Sequence, residues 1–356
     1  MYELTLQTMA SSLHALPQTI WVKDSPPDWD ALLASMVQRK SWQQLPTLKN
    51  MNPARKWEVV SAYQKSVRRG DLAVALKMVA AIDCTGDLEL LKYLWRRVLT
   101  TVAEDCGPAS PGLMAMVMAA HEWAKKEKPD HQIAVISVLT EMMCMYPRSR
   151  TYCAMSIIEN RLKTTASTEG GPPAIMNLSK DPLDDWELEF FEWFRTRPDE
   201  VEQTVAWWCK KKGWLTEHLS DYYSFTPELV DAPQIPFPVC EMILGLPSYA
   251  YDMHTRLGKT ILYKLVGEGE VKTILTESKC NDKMKALGWA MFFCEGGRIE
   301  AEQWDLKIAN LERKVAYGQF GMSSEEGLGL EAAMQLMIDS GKVNARRTYL
   351  GRQMYG

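Results

Sequence analysis

Between residues 54 and 165, apolar side chains recur at the three-to-four-residue spacing of one face of an α-helix. The first run stops at Gly70, a residue type that favours helix termination. Short connections between such runs are typical of a compact bundle. The predicted helices cover residues 54–69, 72–82, 88–103, 111–126, 131–146 and 150–162. Their predicted N-caps, all acidic or hydroxyl side chains, are Asp71, Asp87, Ser110, Asp130 and Ser149.

A stretch rich in threonine, serine, glycine and proline, residues 164–182, predicts a domain boundary. Beyond it, the spacing favours helices over residues 186–195, 247–266, 281–294, 300–317 and 323–340, with a candidate strand over residues 271–276. The predicted fold class is all-α, a helical bundle plus a second, mainly helical domain. The predicted parts are an N-terminal helical extension (1–50), the bundle (51–165), a linker (166–182) and a C-terminal domain with a basic tail (183–356).

The composition is that of an ordinary globular chain, with 46% hydrophobic and 24% charged residues among 356. The net charge of −4 gives no overall attraction to phosphate, so contact with nucleic acid would have to come from local patches. Eight cysteines without a Cys-x-x-Cys pair favour a reducing compartment. The chain has no secretory signal and no apolar run of roughly 18 residues, so we expect a cytoplasmic protein without membrane contact.

Three stretches of the bundle are distinctive. Residues 61–72 read Ser-Ala-Tyr-Gln-Lys-Ser-Val-Arg-Arg-Gly-Asp-Leu, residues 95–111 contain Glu-Asp-Cys-Gly-Pro-Ala-Ser-Pro, and residues 145–152 place Arg148 and Ser149 after a proline. In this order they resemble the C-terminal module of the RarA/MgsA group of replication-associated recombination ATPases, relatives of the clamp loaders. Three positions depart from that family's histidine, serine and aspartate, in that order: Gln64, Ala103 and Ser110.

The resemblance implies a helical collar that assembles into a ring or tetramer beside an ATPase and acts in replication-fork maintenance. We do not expect the ATPase itself, because a P-loop needs Gly-x-x-x-x-Gly-Lys-Ser/Thr. Gly258-Lys259-Thr260 supplies only its end, and Met253 occupies the place of the first glycine. We therefore expect no ATP hydrolysis and no cofactor, and we nominate no catalytic residue.

Charged residues of the bundle are candidates for binding or for structural pairing. Lys65, Arg68 and Arg69 end the first predicted helix, where cations suit the helix dipole and would also suit a phosphate or a partner protein.

Glu104 and Asp105 also end a helix, where acids are unfavourable and need a partner. We predict an internal salt-bridge network with Arg96 and Arg97 that fixes the turn at Gly107, with a metal site as the alternative.

Three groups in the C-terminal domain are candidates for contact with nucleic acid or a partner. The first sets a lysine run beside tryptophan, the second lies in predicted helix 247–266, and the third is a basic tail. Within the second, Asp252 and Arg256 would form an i,i+4 ion pair, and one histidine with one aspartate is too few ligands for a metal. A packed or solvated helix is the alternative for each group. The candidates are Trp207, Lys210, Lys211, Lys212, His254, Arg256, Lys259, Arg346 and Arg347.

The leading hypothesis is an ATPase-free relative of the collar, of phage or mobile-element origin. It would be a non-catalytic homo-oligomeric scaffold, a tetramer by resemblance, that binds replication or recombination proteins, with DNA as a candidate ligand. A second hypothesis is a metal-dependent nucleic-acid-processing enzyme built on residues 252–259. A third hypothesis is that the protein is a virion or inhibitor protein that reuses the collar fold.

Overall fold

Helices form nearly all the regular structure in the described part of the chain, so the all-α prediction is confirmed. The computed structural model describes residues 29–38, 55–106, 111–146, 148, 150, 180–181, 185, 240–297 and 306–355. The helices of the first half are α1 (Trp29–Gln38), α2 (Lys56–Arg69), α3 (Leu72–Asp83), α4 (Leu88–Thr101), α5 (Pro111–Ala124) and α6 (Pro129–Met145). Those of the second half are α7 (Arg256–Leu265), α8 (Gly269–Glu277), α9 (Lys283–Met291), α10 (Leu306–Gly318), α11 (Ser324–Asp339) and α12 (Lys342–Tyr355). A two-stranded antiparallel ribbon, β1 (Met242–Ile243) and β2 (Leu246–Pro247), precedes α7.

Several helix boundaries lie at the capping residues that the sequence predicted. Gly70 ends α2 in the left-handed conformation with a φ of 73°. Asp71 and Asp87 each accept hydrogen bonds from backbone N–H groups in the first turn of α3 and α4. These three predictions are confirmed.

The start of α6 differs from the prediction that Asp130 is its N-cap. Lys128 is the N-cap, and Pro129 occupies the first helical position, where its missing N–H costs nothing. Asp130 lies inside the first turn, where its charge suits the helix dipole. The predicted caps Ser110 and Ser149, and the predicted helices over residues 150–162 and 186–195, lie outside the described residues.

Residues 247–255 are not an α-helix, so the prediction of a helix over residues 247–266 is wrong in its first half. This stretch holds β2, a 3₁₀ turn (Ser248–Ala250) and an irregular segment. The helix starts late because the hydroxyl group of Thr255 accepts a hydrogen bond of 3.1 Å from the N–H of Gly258 and caps α7. Asp252 and Arg256 therefore share no helix face, and the predicted i,i+4 pair between them is wrong.

The predicted strand over residues 271–276 is also wrong, because this segment lies in α8. Its β-branched residues favour a strand by intrinsic preference. However, Val271 and Leu275 stand four residues apart and are both buried, and α8 packs against α11. Burial of one helical face against another helix outweighs the local preference.

The core is continuous between the two halves of the described chain. α2 packs against α3, α4 and α6 on one side, and against β2 and the Ser248–Ala250 turn on the other. α9 packs against α7, α10 and α11 in the second half, and one cluster of buried apolar side chains runs through both halves. The placement of a domain boundary at residues 164–182 stays a prediction. Among the described helices, none combines the length and apolar character that a membrane crossing requires.

Replacing Gly258 with alanine is expected to destabilise the fold, because the new Cβ would lie 1.8 Å from the carbonyl oxygen of Asp252. Relieving such a clash means moving backbone, so we expect a loss of about 2 kcal/mol or more in the free energy of unfolding. Gly329→Ala in α11 is the matched control, since its Cβ would meet nothing closer than 3.9 Å. Urea denaturation of both variants measures the effect, and equal midpoints would contradict the described turn.

Candidate functional site

The cations at the end of α2 are buried, although such a helix end is usually solvated. Lys65, Arg68 and Arg69 are each less than one-tenth exposed. They lie between the helices of the first half and the backbone around residues 250–252 and 295–296. Because a charge removed from water is costly without partners, each must be matched by nearby oxygen atoms.

Two carboxylates match the first two of these cations. The ammonium nitrogen of Lys65 lies 2.7 Å from Oδ2 of Asp252. Arg68 forms an ion pair with Asp105 and donates a second hydrogen bond to the carbonyl oxygen of Gly296. We call Lys65, Arg68, Asp105 and Asp252 the α2 cluster. It ties α2 to the π-helical turn after α4 and to two segments of the second half.

Arg69 is matched by a carbonyl group and an aromatic ring. It donates a hydrogen bond of 3.1 Å to the carbonyl oxygen of Glu295, and its guanidinium group stacks on Tyr249 at 4.3 Å from the ring centroid. The hydroxyl group of Tyr249 lies 2.7 Å from that of Ser66 and donates to Asp71 at 3.2 Å. The end of α2 is thus held by side chains from both halves of the chain.

Glu104 and Asp105 lie in the π-helical turn that follows α4 (Val102–Cys106), and both face α2. Gln64 donates to Glu104 at 2.6 Å and to Asp105 at 3.3 Å. The predicted partners Arg96 and Arg97 form no ion pair with these acids, because the acids turn toward α2. Burial, followed by the neighbouring charge of Asp105, raises the pKa of Glu104 above its usual value.

Asp252 is 1% exposed and has partners for both carboxylate oxygens. Besides Lys65, it accepts from the backbone N–H of His254 at 3.0 Å, and Nδ1 of that histidine lies 3.1 Å from Oδ2. Burial alone would raise the pKa of Asp252, but the charges of Lys65 and His254 outweigh it and hold this pKa well below its usual range. The carboxylate is therefore already occupied.

A cleft of about 500 Å³, which we call the α2 cleft, opens beside the α2 cluster. One face of α2 runs along it, with α4 on one side and the start of α7 with α9 on the other. Four residues nominated from the sequence for binding line it: Lys65, Arg68, His254 and Lys259. The complete lining is Trp57, Val60, Ser61, Gln64, Lys65, Arg68, Tyr93, Arg97, Glu104, Met253, His254, Lys259, Trp289 and Phe292.

The two arginines of the predicted basic tail have different environments, because the tail is helix α12. Arg347 is 0% exposed, and its guanidinium group donates to Glu295 at 2.6 Å and to the carbonyl oxygen of Tyr251 at 3.0 Å. Arg346 is partly exposed and forms an ion pair with Glu268. Arg347 is therefore used inside the fold and is not presented to a partner.

Two further arginines join distant parts of the chain. Arg150 pairs with Glu312 at 2.7 Å and donates to the carbonyl oxygen of Gly297 at 2.8 Å. Arg148 donates to a carbonyl group at the end of α6 and packs against Gly70, where a Cβ would lie 2.8 Å from its guanidinium group. Sequence reasoning missed the pair of Arg150 because the partners are 162 positions apart and no local pattern links them.

Other nominated residues lie away from the α2 cleft or outside the described ranges. Arg256 is exposed at the first position of α7 and does not line the α2 cleft. Among the described residues, no group of three or more histidine, cysteine, aspartate or glutamate side chains is arranged to hold a metal ion. The nominated residues outside the described ranges are Trp207, Lys210, Lys211, Lys212, Gly107 and Ser149.

These features define an all-α protein in which a buried ionic cluster joins two helical halves beside an open cleft. No protein-family model matches the chain, and no solved structure matches it. The chain is similar to Replication-associated recombination protein A of Bacillus subtilis (strain 168), with 34% identity over 96 residues. The match covers 27% of this chain and 22% of that relative, so the chain spans about a fifth of the relative's length. This partial similarity relates the chain to proteins of replication-associated recombination.

Replacing Arg347 with methionine is expected to cost about 3–5 kcal/mol of folding free energy, because the carboxylate of Glu295 would stay buried without its cation. The neighbouring Arg346→Met is the matched control. It breaks a partly exposed pair, which is worth about 0–1 kcal/mol. The double variant Arg347→Met with Glu295→Met should regain most of the loss, since no uncompensated charge remains. Urea denaturation tests all three, and similar midpoints for the two single variants would refute the assignment.

Glu104→Gln is expected to stabilise the fold more at about pH 8 than at about pH 5, above and near the ordinary glutamate pKa. Since the pKa of Glu104 is raised in the folded state, its carboxyl group stabilises the fold at low pH, and this contribution is lost as the pH rises through the raised pKa. The amide of the glutamine variant stays neutral, so the variant does not lose this stability as the pH rises. Thermal unfolding at both pH values measures the difference. The exposed Glu89→Gln is the control, and identical pH profiles for the two variants would oppose this reasoning.

Proposed function

We propose that the protein is a non-catalytic, self-associating scaffold in DNA replication, recombination or repair, and that it binds replication proteins. The partial similarity to a replication-associated recombination protein supports the cellular process. The resemblance of residues 61–72, 95–111 and 145–152 to a collar module supports self-association, with a tetramer as the expected form.

The observation that carries this proposal is that residues of the three motif stretches contact one another. Gln64 and Arg68 from the first stretch contact Glu104 and Asp105 from the second, and Arg148 from the third packs against Gly70. Stretches that are far apart in sequence therefore meet in one place. Their polar groups bind each other, which suits a structural module better than a reacting site.

The alternative of a metal-dependent enzyme built on residues 252–259 receives less support. Metal binding would need the carboxylate of Asp252, which is buried and already bonded to Lys65 and His254. Each oxygen of that group already accepts a hydrogen bond, so a metal would have to displace Lys65 or His254.

Multi-angle light scattering of the full chain, with and without short single-stranded and duplex DNA, tests the proposal at two salt concentrations. We expect a stable oligomer with a mass of roughly four times the 40.5 kDa chain, and a pull-down that retains a replication protein. Any gain in mass with DNA should weaken at high salt, because phosphate contacts release counterions. A monomer at all concentrations would overturn self-association, and metal-dependent cleavage of the DNA would overturn the non-catalytic assignment.

A further inference from the structure

The α2 cleft combines aromatic surface with positive charge. Four of its lining residues are aromatic, five are cationic or histidine, and the one acid, Glu104, has a raised pKa. The aromatic residues are Trp57, Tyr93, Trp289 and Phe292, and the basic ones are Lys65, Arg68, Arg97, His254 and Lys259. Neither an apolar ligand nor a simple anion would use both kinds of surface.

The aromatic side chains are arranged so that one of them is available to a ligand. Trp57 is 52% exposed, and its ring system and that of Tyr93 meet edge to face at a centroid distance of 5.2 Å and an angle of 84°. The ammonium group of Lys56 lies over the indole at 5.6 Å from the ring centroid. Trp289 is buried and stacks on Phe293, so its role is to build the wall. An exposed indole held by a neighbouring ring at the edge of a cleft is a stacking surface for a planar group.

The basic side chains divide into those used by the fold and those left for a ligand. Lys65 and Arg68 are neutralised by Asp252 and Asp105. Among the described residues, no acid pairs with Lys259, which is exposed on α7.

Arg97, on the opposite side of the cleft, forms no ion pair in the described ranges, although its charge acts on the carboxyl group of Glu104 nearby. Its guanidinium group donates to the hydroxyl oxygen of Tyr93 at 3.0 Å and packs over that ring. Cations that form no ion pair on two sides of the cleft suit a phosphate group.

We infer that the α2 cleft binds a nucleotide unit, with its base stacked on Trp57 and its phosphate paired with Arg97 and Lys259. The volume of about 500 Å³ is in the range of small-ligand sites. Gln64 and Glu104 line the cleft and are hydrogen-bonded to each other, so the edge of a base would have to use the atoms that this bond leaves over.

A second hollow favours a single strand over a free nucleotide as the source of this unit. It measures about 220 Å³, shares Trp57 and Tyr93 with the α2 cleft, and adds Lys56, Lys92 and Arg96 together with the acids Asp87 and Glu89. Glu89 neutralises Lys92 at 2.6 Å. Lys56 and Arg96 form no ion pair within the described part of the chain. Aromatic rings flanked by these cations and by those of the α2 cleft suit successive nucleotides of an unpaired strand, whose bases are free to stack. That this strand is DNA rests on the proposed function, whereas the base-and-phosphate chemistry rests on the cleft.

Fluorescence anisotropy of a labelled ten-nucleotide oligo-dT with the full chain tests the inference. We expect binding that weakens with salt. Lys259→Glu should weaken it about tenfold, and Trp57→Ala by about five- to a hundredfold, as loss of a stacked base does. The matched controls are Lys264→Glu and Tyr263→Ala, which alter exposed residues of the same helix α7 outside the cleft lining, and they should stay within about twofold of the wild type.

The competitors distinguish the ligand classes. Unlabelled oligo-dT should compete at far lower concentration than dTMP; equal competition would overturn the single-strand assignment and leave a mononucleotide site. Poly-glutamate competing as well as oligo-dT, or equal binding by cleft and control variants, would overturn the inference altogether. The two proposals can fail separately. A monomer that binds oligo-dT would overturn the scaffold and support the nucleotide site. An oligomer that does not bind oligo-dT would do the reverse.

Discussion

Lys65, Arg68 and Arg69 are removed from water in the last turns of α2, and each takes an oxygen partner from the second half of the chain. Moving a buried charge away from its partners costs several kcal/mol, more than most single apolar contacts contribute. The two helical halves therefore cannot separate or slide without exposing unmatched charges. The register between them follows from this constraint, and with it the shape of the cleft that forms where α2, α4 and α7 meet.

The helices of the first half could be predicted because their signals are local. Asp71, Asp87 and Gly70 each act on backbone groups within a few residues, so the sequence contains the whole interaction. The irregular segment before α7 could not, because Asp252 is held by Lys65, which stands almost two hundred positions earlier. The cap at Thr255 is local, but the apolar spacing there also resembles a helix, and the sequence does not show that Asp252 pairs with a distant cation.

The same distinction explains the candidate residues. Arg346 and Arg347 are adjacent and chemically identical in the sequence, yet the helix turns one toward Glu268 and the other into the core beside Glu295. A cluster of cations in a sequence does not indicate which side chains form ion pairs inside the fold and which face a ligand. Conversely, the aromatic and basic side chains of the α2 cleft come from separate helices, so no contiguous motif predicts the cleft.

Some residues around the α2 cleft are buried in ion pairs, and others are exposed at its edge. This difference determines which substitutions can test function. Substituting Lys65 or Arg68 would remove the buried cation that pairs with Asp252 or Asp105, so a loss of binding would report a damaged fold. Trp57 and Lys259 lie at the exposed edge of the cleft, where a substitution removes ligand-binding surface and little packing. The motif residues that carry the family resemblance are thus poor probes of activity. Trp57 and Lys259, which lie outside the three stretches that carry the resemblance, are the informative ones.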